Sequence, residues 1–102
     1  MKLYALIGNF TTAPNDRDAL IEILEEAATI MEDVSGCKQY ILYEDAVDDE
    51  KIWVTEIWES KEAHDESLTR TDVRAIIARA IPLLKETPEQ GIQLVPVAGK
   101  GF

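Results

Sequence analysis

A chain of 102 residues fits one domain, and a domain of that length buries roughly two-thirds of its unfolded surface without disulfide or metal staples. Its formal net charge of −10, from 20 acidic and 10 basic residues, repels phosphate backbones and anionic lipid and argues against nucleic-acid and membrane partners. Cys37 and His64 stand alone of their kinds, so an internal disulfide is excluded and a structural zinc site, usually four Cys/His ligands, is not expected.

Taken in order, residues 3–12 alternate as a strand, with Met-Lys-Leu-Tyr leading into it directly rather than through a signal peptide, so a cytoplasmic protein is expected. Ala13-Pro14 breaks the strand, and Asn15 is the expected cap of a helix with Asp16 and Asp18 in its first turn. From Ala19 to Val34 the apolar residues recur at spacings of three and four, a single broad face. Ser35-Gly36 should end that helix, with the glycine in a left-handed cap.

Residues 37–44 and 51–58 read as strands joined by the acidic connection 45–50, hence an antiparallel hairpin. Ser60 is the expected cap of a short helix reaching about Arg70, and Thr71 that of a second helix distorted or ended at Pro82. After the turn 87–91, residues 92–97 are a last strand whose Pro96, lacking a ladder donor, suits a sheet edge. One domain over residues 1–98 and a loose tail over 99–102 are the expected organisation.

The order β-α-β-β-α-β is the ferredoxin-like arrangement, an α+β fold with an antiparallel sheet. The first strand sets Leu3, Ala5, Ile7 and Asn9 against Tyr4, Leu6, Gly8 and Phe10, and the third sets Ile52, Val54, Glu56 and Trp58 against Trp53, Thr55 and Ile57. Both faces are largely apolar, yet helices cover one face only. A homodimer packed sheet against sheet is the expected remedy.

With that order in place, the sequence resembles the antibiotic biosynthesis monooxygenase family, and within it the quinol monooxygenase-like members. The residues that carry the resemblance are Pro14-Asn15 at the helix start, Ser35-Gly36-Cys37, Tyr40-Ile41-Leu42-Tyr43, and above all Glu56-Ile57-Trp58-Glu59-Ser60-Lys61-Glu62-Ala63. The last matches a strand ending in E-x-W followed by a helix opening S-x-E-A. The resemblance implies a dimeric α+β barrel with a pocket between sheet and helices. It also implies oxidation of anthrones or quinols by O2 with no cofactor, the deprotonated aromatic substrate supplying the electrons. A related branch degrades haem. Many members place a histidine three positions beyond His64, where this chain has Ser67. The haem branch places tryptophan there and a further histidine where this chain has Ile77, and Asn9 alone of its trio has a counterpart.

The catalytic candidates are His64, Asn9 and Trp58. His64 has the side chain whose ordinary pKa lies nearest neutrality, which suits a general base, although a half-buried helix histidine bonded to backbone or Glu56 is the structural alternative. Asn9 offers an amide to a quinol oxygen, and Trp58 a ring to stack on a flat ligand. The substrate-binding candidates are Glu56, Tyr43 and Ser67. Glu56 is a carboxylate in an apolar strand, costly unless paired, with Arg74 or Arg79 the expected partner. Tyr43 lines the pocket or forms a cross-strand aromatic pair. His64 and Ser67 share a helix stripe and suggest a hydrolytic dyad, but no glycine-flanked nucleophile turn is present and Asp65 is expected to point away from the ring. Trp53 is expected at the dimer interface and Cys37 as a small buried residue. No metal site is expected. The alternative function is a non-catalytic small-ligand-binding or stress-response module on the same fold.

Overall fold

Four runs rich in β-branched and aromatic residues pair into one sheet, and the helical repeats between them cover one of its faces. The computed structural model describes residues 2–88 and 90–101, so Met1, Glu89 of the expected turn and Phe102 of the expected tail lie outside it. The elements are β1 (Tyr4–Thr11), α1 (Arg17–Met31), β2 (Cys37–Glu44), β3 (Lys51–Trp58), α2 (Lys61–Ser67), α3 (Thr71–Ala80) and β4 (Ile92–Leu94), with a 3₁₀ turn at Ile81–Leu83. Every strand pairing is antiparallel and the spatial order is β2-β3-β1-β4, the ferredoxin-like sheet.

Leu20, Leu24, Ala27 and Met31 of α1 and Val73, Ile76 and Ala80 of α3 are buried at helical spacing. Beneath them lie Tyr4, Leu6, Gly8 and Phe10 of β1, each opposite Trp58, Glu56, Val54 and Ile52 of β3 in turn. The packing divides into two clusters. One is built on Leu20, Leu24, Ile52 and Ala80, and the other on Met31, Trp58 and Val73. The other face of the sheet carries Ala5, Ile7, Asn9, Trp53, Thr55 and Ile57, with no helix over it among the described residues. There Ile41 and Tyr43 are each 42% exposed, Ile92 60% and Leu94 46%, an apolar surface of the kind the sequence leads one to expect.

Several local expectations are corrected. Asn15 does not cap α1; it takes φ +70°, and Asp16 occupies the cap position without a side-chain bond to the helix. The helix ends at Met31 rather than near Val34, and tight turns carry the chain on to Cys37. Gly36 is not in a left-handed conformation. Glycine is required there because an added Cβ would stand 2.8 Å from the Ala63 Cβ, so its lack of a side chain seats α2 against the turn before β2. Arg70, not Thr71, is the cap residue of α3. β4 spans three residues rather than six, so Pro96 follows the edge strand instead of belonging to it. Beyond it the chain returns towards β2, where Gln39 Nε2 donates to the Gly101 carbonyl at 3.1 Å.

Candidate active site

The sequence Trp58-Glu59-Ser60 turns the end of β3 into α2. Ser60 is extended (φ −160°, ψ 165°) and its Oγ accepts the Ala63 backbone N–H at 3.1 Å, so the expected cap is present. That cap holds α2 on the sheet and brings His64 over Trp58. The imidazole lies 5.5 Å from the Trp58 ring, nearly edge-on at 82°, and 5.4 Å from the Tyr4 ring, and its side chain is only 13% exposed.

His64 and Ser67 stand on the wall of a cavity of about 360 Å³ between the sheet and the three helices. Residues of both packing clusters line it, Leu24 and Ala80 from one and Met31, Val73 and Tyr40 from the other. The cavity therefore occupies the seam where the two halves of the core fail to close. Leu68, Ile77 and Ile81 line it yet are themselves exposed, and so mark its mouth between α2 and α3. Glu56, Tyr40, His64 and Ser67 are the polar groups of the wall, and no lysine or arginine belongs to it among the described residues.

Glu56 does not pair with Arg74 or Arg79. Arg79 is engaged with Glu26 on the surface at 2.7 and 2.8 Å, and the Glu56 carboxyl accepts the Trp58 Nε1–H at 2.9 Å instead. Two residues apart on one strand, the two side chains share a face and meet without a helix partner. Burial pushes the Glu56 carboxyl above the usual range, and the Trp58 bond and the nearby His64 offset this only in part. Burial likewise raises the Tyr40 phenol, with the Glu56 charge adding to it, so Tyr40 stays an O–H donor.

Trp58 is fully buried and supports His64 and Glu56 from behind the cavity wall. Asn9 and Tyr43 are not brought to this site. Asn9 pairs opposite Trp53 on β1, and Tyr43 pairs opposite Trp53 on β2, so both stand on the face without helices. Tyr43 hydroxyl and Thr55 Oγ1 share a hydrogen bond of 2.9 Å there. A hydrolytic dyad is absent as well: Ser67 Oγ donates to the His64 backbone carbonyl at 2.6 Å rather than to its ring. Asp65 does not point away, because its Oδ1 stands 3.0 Å from His64 Nδ1.

Tyr40 and Tyr4 are the site residues that sequence reasoning missed. A bulge between Cys37 and Gln39 shifts the register of β2, so Cys37 and Tyr40 both fall on the helix-covered face although three residues apart. Strict alternation hides this. The proximity of Tyr40 to Glu56 is visible only once Tyr40↔Glu56 is known as a pair.

A family model described as "Antibiotic biosynthesis monooxygenase" matches residues 3–79. Among solved structures, a proposed antibiotic biosynthesis monooxygenase from Chloroflexus aurantiacus J-10-fl is 39% identical, with a TM-score of 0.86 over 97% of both chains. The Rv0793 protein of Mycobacterium tuberculosis is 27% identical, with a TM-score of 0.85 over 97% of this chain and 99% of the other. A Nitrosomonas europaea protein only 11% identical reaches a TM-score of 0.90 over 97% of this chain and 94% of its own, a likeness of fold alone. No curated protein matches the chain. With strand, cap and helix of its E-x-W-x-S-x-E-A segment folded as described and the match spanning most of its length, the chain belongs to the antibiotic biosynthesis monooxygenase family.

Proposed function

We propose that this chain is a cofactor-independent monooxygenase of a small aromatic quinol or anthrone, with His64 as general base. The observation that carries the reading is one imidazole and one carboxyl, raised above its usual range by burial, on the wall of a largely apolar cavity. A cavity of about 360 Å³ suits a flat molecule of two or three fused rings, and a wall without a cation favours an uncharged ligand over a carboxylate or phosphate. His64 takes a proton from the acidic carbon or hydroxyl, and the Tyr40 hydroxyl, beside the buried Glu56 carboxyl, donates to the oxygen on which negative charge collects. The electron-rich anion reduces O2 and a C–O bond forms. For a CH2 carbon, loss of water then leaves a carbonyl, so that one atom of O2 enters the product and the other leaves as water.

Trp58 and Ser67 act by position: Trp58 sets the ring of His64, and Ser67 occupies the His64 carbonyl. Asn9 and Tyr43 belong instead to the surface through which two chains pack sheet against sheet, together with Ile41, Ile92, Leu94 and the half-buried Trp53. Light scattering at micromolar concentration tests this; a stable monomer removes the dimer.

Oxygen uptake with a panel of quinols and anthrones, in chelator-treated buffer, tests the activity. Uptake above the protein-free rate that falls by ~10²–10⁴ in His64→Ala supports the reading. Saturable ligand binding with background uptake in both proteins would leave a binding module and overturn the monooxygenase.

A further inference from the structure

Asp65 adjoins His64 in sequence, is about half exposed, and divides its carboxylate between two partners. Its Oδ2 takes Lys61 Nζ at 2.9 Å from the preceding helical turn, and its Oδ1 stands 3.0 Å from His64 Nδ1. We infer that Asp65 is a positioning residue that selects the tautomer of His64, holding Nδ1–H and leaving the lone pair on Nε2 for the cavity.

The argument is one of donors and acceptors. The hydrogen bond to Lys61, with a further one to His64, holds the Asp65 carboxyl below its usual range, so at neutral pH it has no proton to give. The hydrogen shared with His64 must then sit on Nδ1. A neutral imidazole has one N–H, so Nε2 is left as the acceptor, and His64 is a wall residue of the cavity. Tyr4 and Trp58, neighbours on the sheet, pack against the ring with centroids 5.4 and 5.5 Å from it. Ser67 does not compete, since its hydroxyl is spent on the backbone. A general base needs its lone pair directed at the proton it removes, and this arrangement supplies it before substrate arrives.

The inference rests on the proposed role of His64 as base, but its first test does not. His64 is the only histidine, so long-range ¹H–¹⁵N spectra of labelled protein, recorded at a pH where the ring is neutral, show one imidazole. The wild-type ring should show a pyrrole-like Nδ1 and a pyridine-like Nε2. Asp65→Ala should move it towards the Nε2–H form that free histidine favours, and Asp65→Asn, which keeps an acceptor oxygen, should restore much of the wild-type pattern. A wild-type ring already in the Nε2–H form, or spectra unchanged in Asp65→Ala, would overturn the inference. In oxygen uptake, Asp65→Ala should lower kcat roughly tenfold with little change in KM, short of the ~10²–10⁴-fold loss for His64→Ala. The expected tautomer shift without uptake in any variant would sink the monooxygenase and leave the positioning role intact.

Discussion

The two tryptophans of this chain each donate their N–H to a carboxylate, and the two pairs behave in opposite ways. At the β2–β3 turn, Trp53 Nε1 donates to Asp45 Oδ2 at 2.8 Å, while Asp45 Oδ1 takes the backbone N–H groups of Val47 and Asp48 at 2.9 and 2.8 Å. Those bonds, led by that from Asp48, hold the Asp45 carboxyl down to about 2. In the cavity wall, Trp58 Nε1 is the one bond Glu56 accepts among the described residues, and burial pushes its carboxyl up. Three donors at the surface make a carboxylate a permanent anion that shapes a turn. One donor in the core leaves a carboxyl ready to hold or release a proton, which suits it to meet a ligand.

The comparison can be broken at the rings first. Trp58 is fully buried in the core, so Trp58→Ala should cost ~3–5 kcal/mol in urea denaturation. Trp53→Phe, at a half-buried site, should cost clearly less. Equal losses would mean that Trp58 has no special place. Next, Gly36→Ala should cost ~1–3 kcal/mol by forcing α2 off its seat, and should reduce His64-dependent oxygen uptake with it.

The carboxylates should then separate by the sign of their pH dependence. The lowered pKa of Asp45 contributes stability that is present above 3.8 and is lost as pH falls through about 2, so Asp45→Ala should flatten the acid limb of a stability profile. The raised pKa of Glu56 works the other way: its contribution is complete below 4.5 and lost as pH rises through its higher folded value. Glu56→Gln should therefore gain stability relative to wild type towards neutral pH while losing turnover. A change of the same sign in both variants would refute the contrast. The smallest effect concerns Cys37, whose thiol is pushed up to about 11, first by burial and then by the Glu56 charge. Alkylation at mildly alkaline pH should be slow, and modestly faster in Glu56→Gln.

The order of elements, the Ser60 cap and the place of His64 and Trp58 at one strand-to-helix corner were legible in the chain, because capping chemistry, helical spacing and strand ends act over a few residues. Two strand faces of nearly equal apolar character cannot say which one the helices cover, so Asn9 and Tyr43 were expected near His64 and stand instead on the far face. The bulge after Cys37 likewise has no local mark, yet it is what turns Tyr40 towards Glu56.

Local sequence thus determines the order of strands and helices in this chain, though not all their ends, and that one strand-to-helix corner carries both a histidine and a tryptophan. Register across the sheet and the seating of α2 against Gly36 determine the remainder: which groups face the cavity, what Glu56 bonds to, and which nitrogen of His64 stays free. Some of these join residues far apart in sequence, as Tyr40 with Glu56 and Gly36 with Ala63, and others join near neighbours, but all depend on burial and donor count, which exist only once the chain has packed.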